Sequence, residues 1–240
     1  MADWKSTAQQ WVYRWINPFI RWCLRAGITP NGITLTGLFI NVIAAGIFIY
    51  GGEYSSRNDH SIVGVASAVI LFAGLFDMID GRLARVGGLD SKYGALYDSV
   101  LDRYSEMIMF LGICYYLVAH HYFLSSLFAF VGMIGSVMVS YTRARAEGLG
   151  LKMADVGFMQ RPERILLIGL SGVICGLYSV FINAEMKIVV NFLPFPLIET
   201  ITLFTFPIFL LAVFSNMTAI SRLRHAEKEL RQTSNSSHIT

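Results

Sequence analysis

Six long apolar segments separated by polar stretches dominate the chain. They occupy residues 33–52, 61–80, 95–118, 122–142, 164–183 and 197–221. Each has roughly the 17–25 residues that an α-helix needs to cross the hydrocarbon core of a bilayer. Because a bilayer offers the backbone no hydrogen-bonding partners, helices are the default structure of such segments. The pattern predicts an all-α integral membrane protein with six transmembrane helices in one bundle over 33–221.

A shorter amphipathic segment at 7–26 precedes the bundle. Its apolar residues, which include Trp11, Trp15 and Phe19, recur with a helical period, and its arginines lie on the other face. This pattern predicts a helix lying in the membrane interface, although a helix packed against the bundle would show the same pattern. We predict one membrane domain over 1–225, followed by a polar, disordered tail over 226–240.

The composition agrees with a membrane protein. Of the 240 residues, 55% are hydrophobic and only 15% are charged, whereas soluble domains carry about 25% charged residues. The three cysteines show no metal-binding spacing and no disulfide framework. The net charge of +3 is modest, and no nucleic-acid partner is predicted.

The positions of the positive charges predict an orientation. If the N-terminus is cytoplasmic and the chain crosses six times, all but two of the 19 lysines and arginines are cytoplasmic, the exceptions being Arg57 and Lys187. Cytoplasmic loops of membrane proteins carry this excess of positive charge. We therefore expect a multi-pass cell-membrane protein with both termini in the cytoplasm.

Four aspartates interrupt the apolar pattern near the cytoplasmic ends of the second and third segments. They follow the spacing D-x2-D-G-x2-A-R-x8-G-x3-D-x3-D, with the acids at Asp77, Asp80, Asp98 and Asp102. Each pair shares one helix face, and the glycine-containing turn between the pairs lets the second helix return antiparallel. Four carboxylates brought together repel one another at low dielectric. They predict one or two hard cations, Mg²⁺, Mn²⁺ or Ca²⁺.

The spacing alone is also compatible with two different roles for the acids. Intramembrane carboxylates line ion or proton pathways in transporters, or they pair structurally with neighbouring arginines. The interleaved Gly81 and Gly94 allow close approach of a ligand, and Arg85 is suited to a phosphate. These residues favour a ligand that contains a pyrophosphate group.

The stretch resembles the signature of the CDP-alcohol phosphotransferase family. All of the family's fixed positions match, namely Asp77, Asp80, Gly81, Ala84, Arg85, Gly94, Asp98 and Asp102. The resemblance implies six membrane helices, a homodimer and a cytoplasmic active site. It also implies transfer of a substituted phosphate from a CDP-linked lipid, CDP-diacylglycerol or CDP-archaeol, to an alcohol, with release of CMP.

The resemblance also implies roles for individual residues. Asp77, Asp80 and Asp98 would bind Mg²⁺ or Mn²⁺, as two ions, and Asp102 would bind the second ion or act as the general base. Asp98 and Asp102 are thus the predicted catalytic residues. The predicted donor site consists of Thr29, Pro30, Asn31, Thr34, Asp80, Gly81, Ala84, Arg85 and Gly94. On local grounds, Thr29 is equally well explained as a helix N-cap.

A second polar region bears on the acceptor alcohol. The fourth segment ends in SYTRARAEGLGL and the fifth begins near QRPERI, so four arginines could form a phosphate pocket beside the aspartates: Arg143, Arg145, Arg161 and Arg164. Alternatively, they contact lipid headgroups. The region resembles the bacterial and archaeal family members that use inositol phosphate, although Gln160 stands where an acid is common. We expect Arg164→Ala to raise the KM for the acceptor.

Two alternative functions follow from the same residues. A relative that uses glycerol 3-phosphate, and so makes phosphatidylglycerol phosphate, would also need a phosphate pocket. An ion-coupled transporter is the distant alternative, disfavoured because the acids lie near one membrane face and the broken helices of many transporters are absent from the pattern.

Overall fold

The structure is a computed structural model that describes residues 16–153, 156–182, 186–188 and 198–237, with side chains up to 232. Within these ranges the chain forms seven helices and one short antiparallel strand pair. The elements are α1 (16–25), α2 (Pro30–Tyr54), α3 (Ser61–Gly87), α4 (Lys92–Ala119), α5 (Phe123–Glu147), α6 (Arg161–Ile182), β1 (Lys187–Ile188), β2 (Ile198–Glu199) and α7 (Thr202–Ser237).

Helices α2 to α7 coincide with the six predicted segments. Five of them, α2, α3, α5, α6 and α7, are long and apolar enough to cross a membrane. Five of the six predicted spans are therefore membrane-span candidates by length and composition, and the sixth stays a prediction. Helix α4 differs because charged residues occupy its N-terminal part up to Glu106, among them Asp98, Asp102 and Arg103.

Helices α2 to α7 pack into one bundle, in which α4 contacts α2 and α5. Helix α2 packs against α3 and α4, α3 against α6, and α5 against α7. The apolar second half of α4 contributes Phe110, Ile113 and Tyr116, all fully buried, to a core shared with Phe48 of α2 and Phe204 of α7. Small residues allow the closest contact, because a Cβ atom on Gly64 of α3 would lie 2.8 Å from Cα of Gly176 in α6.

The described part of the N-terminal helix packs against the bundle. Ile20 and Cys23 are buried with Ile33 and Leu83, whereas Trp22 is 57% exposed. This favours the packed alternative for residues 16–25, with Trp22 left for the membrane. The rest of the predicted segment, 7–15, lies outside the described residues.

The predicted disordered tail over 226–240 is wrong up to Ser237, because α7 continues to that residue. The polar extension contains i,i+4 pairs that stabilise a helix, with His225 Nε2 3.1 Å from Glu229 Oε1 and Arg231 Nη2 2.8 Å from Glu227 Oε1. Residues 238–240 lie outside the described part.

Candidate active site

The turn between α3 and α4 brings the two aspartate pairs together. Helix α3 ends at a left-handed Gly88 with φ of +60°, and Ser91 caps α4 by accepting the Gly94 N–H at 2.9 Å. Asp77, Asp98 and Asp102 then line one cavity of about 380 Å³ between α3, α4 and α6. The predicted convergence of acids from two helices is thus found for these three residues.

An arginine from a third helix lies between the acids. Arg161, the first residue of α6, places Nη1 2.7 Å from Asp77 Oδ2 and 2.6 Å from Asp102 Oδ1. Arg103 lies at the edge, 3.8 Å from Asp102 Oδ2. From the sequence, Arg161 is predicted to bind the acceptor phosphate, and its contact with the aspartates is not predicted.

Asp80 faces helix α2 and does not line that cavity. Thr34 Oγ1 donates to Asp80 Oδ2 at 2.7 Å, and the Gly81 N–H approaches Oδ1 at 2.5 Å. Asp80 is only 4% exposed, so these two donors replace the water that the carboxylate loses. Thr34, named only through the family resemblance, is therefore a direct partner of one of the four acids.

The donor set fits a hard divalent cation, although it is not arranged as a finished metal site. Among the described residues, no three acidic, histidine or cysteine side chains are grouped as metal ligands. Oδ1 of Asp102 is nevertheless buried without a well-directed hydrogen bond, and a positive group already lies between Asp102 and Asp77. Anionic oxygen ligands that attract positive charge suit Mg²⁺ or Mn²⁺.

The residues predicted to bind the donor gather at the same end of the bundle. Thr29 caps α2 by accepting the Gly32 N–H at 3.2 Å, as expected on local grounds. Asn31 Oδ1 is 3.5 Å from where a Cβ on Gly94 would lie, so the first turns of α2 and α4 are adjacent. On α3, a Cβ on Gly81 would lie 3.8 Å from Arg85 Nη2. Ala84 lies between them and ends the helix with its carbonyl, which accepts the Leu89 N–H.

The four predicted acceptor arginines do not share one pocket. Arg143 pairs with Glu147 at 2.9 Å on the surface of α5, and Arg145 lines a separate cavity between α5 and α7. Arg164 is 1% exposed and directed into the bundle. Of the four arginines, only Arg161 contacts the aspartates. Arg164 lies one turn further along α6 and contacts Glu106 instead.

Glu106 is a functional candidate that was not predicted from the sequence. Its two carboxylate oxygens accept from Arg164 Nε at 2.6 Å and Nη2 at 2.9 Å, while Arg164 Nη1 donates to the Met159 carbonyl at 3.1 Å. This network uses three guanidinium nitrogens, so the prediction that Arg164 binds acceptor phosphate is not supported. A signal existed, because Glu106 continues the i,i+4 series of Asp98 and Asp102 along α4.

Comparison with known proteins establishes the family. Residues 27–222 match the sequence profile of the CDP-alcohol phosphatidyltransferases. The chain belongs to this family. It is therefore a metal-dependent, multi-pass membrane transferase of phospholipid biosynthesis, as the resemblance of its aspartate motif to this family implied.

Individual relatives within the family are inositol phosphate-lipid synthases. The chain is 34% identical over 172 residues to the phosphatidylinositol phosphate synthase of Mycobacteroides abscessus, covering 68% of this chain and 70% of that protein. It is 36% identical over 147 residues to the archaetidylinositol phosphate synthase of Pyrococcus horikoshii, covering 59% and 68%.

The fold also matches that of a solved relative. The Mycobacterium tuberculosis phosphatidylinositol phosphate synthase with CDP-DAG bound superposes with a TM-score of 0.66 at 28% identity, covering 89% of this chain and 94% of that one. A second crystal structure of that enzyme contains manganese and citrate and superposes with a TM-score of 0.64 at 28% identity, covering 87% of each chain.

Proposed function

We propose that this transferase moves a phosphatidyl-type group from a CDP-linked lipid to a hydroxyl of inositol phosphate and releases CMP. The observation that carries the proposal is the cavity shared by Asp77, Asp98, Asp102 and Arg161, whose lining combines these charged side chains with apolar ones: Leu71, Leu75 and Leu166. A lipid-linked diphosphate and a water-soluble alcohol need such a combination in order to meet.

The aspartates are proposed to hold the metal. Asp77, Asp80, Asp98 and Asp102 would bind two Mg²⁺ or Mn²⁺ ions, which supply charge to polarise the donor diphosphate and stabilise departing CMP. Asp102 lies nearest to Arg161 and has an oxygen without a well-directed hydrogen bond. It is the group proposed to accept the proton from the attacking hydroxyl.

Two helix N-termini support the position of the donor diphosphate. The first turns of α2 and α4 lie side by side at Asn31 and Gly94, so the positive ends of two helix dipoles lie at this end of the bundle, where they favour an anion. Gly81 and Gly94 leave room for the nucleotide, and Arg85 supplies a guanidinium for the phosphates. The lipid chains would lie on the apolar surface of α3 and α6.

We prefer inositol phosphate as the acceptor because relatives at about one-third identity are phosphatidylinositol phosphate and archaetidylinositol phosphate synthases. Arg161 is the acceptor-phosphate ligand best placed in the structure, and Arg143 and Arg145 would approach from the end of α5. Glycerol 3-phosphate is the second candidate, because it offers the same phosphate and hydroxyl chemistry.

The test uses purified protein in liposomes with CDP-diacylglycerol and Mg²⁺. We expect release of CMP with inositol phosphate and at least about tenfold less with free inositol or glycerol 3-phosphate. Free inositol lacks the phosphate and glycerol 3-phosphate lacks the ring hydroxyls, and a site built to bind such groups rejects analogues without them. Release with glycerol 3-phosphate alone would select the second candidate. No release with any of these alcohols would contradict the proposed reaction.

The roles of the acids are tested by Asp98→Asn and Asp102→Asn. Each change removes a charge but keeps the side-chain shape, so we expect loss of CMP release by about 100-fold or more. Glu227→Gln, on the exposed extension of α7, is the matched control and should retain activity. Normal turnover in both aspartate variants would remove the proposed roles.

The resemblance to the family further supports a homodimer with its active sites facing the cytoplasm. Cross-linking of the protein in native membranes should trap a dimer. A monomer under all cross-linking conditions would remove the dimer from the proposal without affecting the reaction.

A further inference from the structure

Arg161 and Arg164 lie one turn apart on α6 and differ in how many of their nitrogen atoms have partners. Arg164 is fully buried, meets Glu106 through two nitrogens and has a third hydrogen bond to a carbonyl. Arg161 reaches Asp77 and Asp102 through the single atom Nη1, and its Nε is buried without a hydrogen-bonding partner. Its side chain remains 18% exposed.

These contacts make Arg164 a fixed anchor and Arg161 a replaceable cation. A planar two-point pair is stronger and more specific than a one-point contact. The one-point contact also occupies an oxygen on each of two carboxylates from different helices, Asp77 on α3 and Asp102 on α4. A divalent cation held by the same oxygens would lie within a few ångströms of the guanidinium, where two positive charges repel strongly.

The backbone around Arg161 permits the side chain to move without the helix. Arg161 is the first residue of α6, and the preceding residues 156–160 form no regular structure. The helix itself is held by the pair between Arg164 and Glu106. A rotation of the Arg161 side chain therefore needs no rearrangement of the bundle.

We propose that Arg161 is a counter-cation of the aspartate cluster and that it leaves Asp77 and Asp102 when a divalent cation binds them. Its guanidinium then becomes available to the phosphate of the acceptor alcohol. This couples acceptor binding to metal loading, and it rests on the metal site of the proposed function.

The first measurement is Mn²⁺ binding by protein stripped of metal, in detergent and without either substrate. Free Mn²⁺ is followed by its electron paramagnetic resonance signal. Arg161→Gln removes the competing cation, so we expect Mn²⁺ to bind about tenfold more tightly. Arg231→Gln, which removes an exposed arginine on α7, should bind like the wild type. Unchanged or weaker Mn²⁺ binding by Arg161→Gln would overturn the proposal.

A second measurement separates displacement from a long-range field. Without metal, the thermal unfolding midpoint of Arg161→Gln should lie below that of the wild type, because the aspartates lose their counter-cation. With saturating Mn²⁺ the difference should disappear, since Arg161 no longer contacts the acids. A difference that persists at saturating Mn²⁺ would show that Arg161 stays in place and would overturn the proposal.

Arg161→Lys is the second variant, for use if Arg161→Gln does not fold. It keeps the charge, so its Mn²⁺ affinity should remain within about threefold of the wild type. A tenfold gain in affinity would contradict the counter-cation role.

Failure of the reaction is distinguishable from failure of this inference. If the wild type releases CMP but Arg161→Gln binds Mn²⁺ no more tightly than the wild type, only the inference is removed. If Arg161→Gln binds Mn²⁺ more tightly but the wild type releases no CMP with any acceptor, only the reaction is removed.

Discussion

At the scale of single residues, burial and partners distinguish side chains that look equivalent in the sequence. Arg161 and Arg164 both belong to the QRPERI run, and both are predicted from it to bind the acceptor phosphate. Their roles differ because Arg161 contacts Asp77 and Asp102 whereas Arg164 contacts Glu106. All three acids belong to other helices. For Arg164→Ala we now expect loss of folded protein instead of a raised KM for the acceptor, because the change would leave Glu106 buried and unpaired.

His60, at the end of the bundle away from the aspartates, makes stability depend on pH. It is 3% exposed, and burial, together with the nearby His120, lowers its pKa to about 4, with Asp59 opposing and Arg57 reinforcing the shift. An unfolded histidine has a pKa of about 6.5, so the unfolded chain binds the proton first. Stability contributed by neutral His60 is therefore complete above pH 6.5 and decreases as the pH falls towards 4.

We predict that His60→Gln makes the unfolding midpoint in detergent fall less, relative to the wild type, when the pH is lowered from 7 to 5. Part of the histidine contribution should remain in His60→Gln, because burial also lowers the pKa of His120. His225→Gln changes an exposed residue of α7 and should keep the wild-type pH dependence. An identical fall in His60→Gln and the wild type would contradict the assignment.

The sequence allowed the four aspartates and the glycines between them to be identified, because helix period and turn chemistry are local. It could not show that Thr34 bonds to Asp80, since those residues are on different helices and their contact depends on how α2 packs. Glu106 was missed because the sequence around a single acid in an apolar helix does not indicate which residue of another helix it pairs with. Its spacing from Asp102 was the available clue.

At the scale of elements, the pair between Glu106 and Arg164 joins α4 to α6. Both side chains are almost fully buried, at 3% and 1% exposure. Removing one partner leaves a buried charge, so Glu106→Gln or Arg164→Met should destabilise the fold by about 3–5 kcal/mol. The double variant Glu106→Leu/Arg164→Met should lose less stability than the sum of the losses caused by the single changes, because it leaves neither charge buried without a partner.

Thermal unfolding in detergent measures these losses. The matched control is the exposed pair on α5, where Arg143→Met should change stability by less than about 1 kcal/mol. If the variants of both pairs lost equally little stability, the buried pair would not be what fastens α6 to α4.

Helices α3 and α6 approach each other closely where Gly64 faces Gly176. A Cβ atom at Gly176 would overlap the backbone of Gly64, and one at Gly64 would lie 2.8 Å from Cα of Gly176. Backbone cannot move aside as a side chain does, so Gly176→Ala should destabilise by about 1–3 kcal/mol. Gly46→Ala on α2 meets nothing within 4 Å and should be neutral or stabilising by up to about 1 kcal/mol. Thermal unfolding tests both, and equal effects would contradict the close packing.

Helix bounds follow from the sequence where caps and breakers mark them, as Thr29 and Pro30 do for α2. The extension of α7 was not predicted because polar composition alone is shared by disordered tails and solvated helices. Its charged i,i+4 pairs, such as Glu227 with Arg231, were the distinguishing feature.

At the scale of the whole molecule, charge is separated between the two ends of the bundle. Arg57 and Lys187, the two cations predicted to lie outside the cell, line one cavity together with Glu199. The aspartates lie at the other end of α3, and about 17 residues of helix, or roughly 25 Å, separate Asp77 from His60. The predicted orientation would therefore put Arg57 and Lys187 on one side of the membrane and the aspartates on the other, and which side is cytoplasmic stays a prediction.

The number of crossings can be tested by parity, because α3, α4 and α5 lie between the exposed residues Asn58 and Lys152. If all three helices cross the membrane, those residues are on opposite sides. If the charged α4 does not cross, they are on the same side. We predict three crossings, because the second half of α4 is apolar and contributes Phe110, Ile113 and Tyr116 to the buried core of the bundle.

In a variant without the three native cysteines, a membrane-impermeant maleimide should label Asn58→Cys in intact spheroplasts. Lys152→Cys should react only after the membrane is opened. Labelling of both sites in intact spheroplasts would contradict the sixth span, because an even number of crossings would then separate them. The reverse pattern, with only Lys152→Cys labelled, would keep six spans and place the aspartates outside the cell. Since a CDP-linked lipid and inositol phosphate are expected to meet on the cytoplasmic side, that outcome would also contradict the proposed reaction.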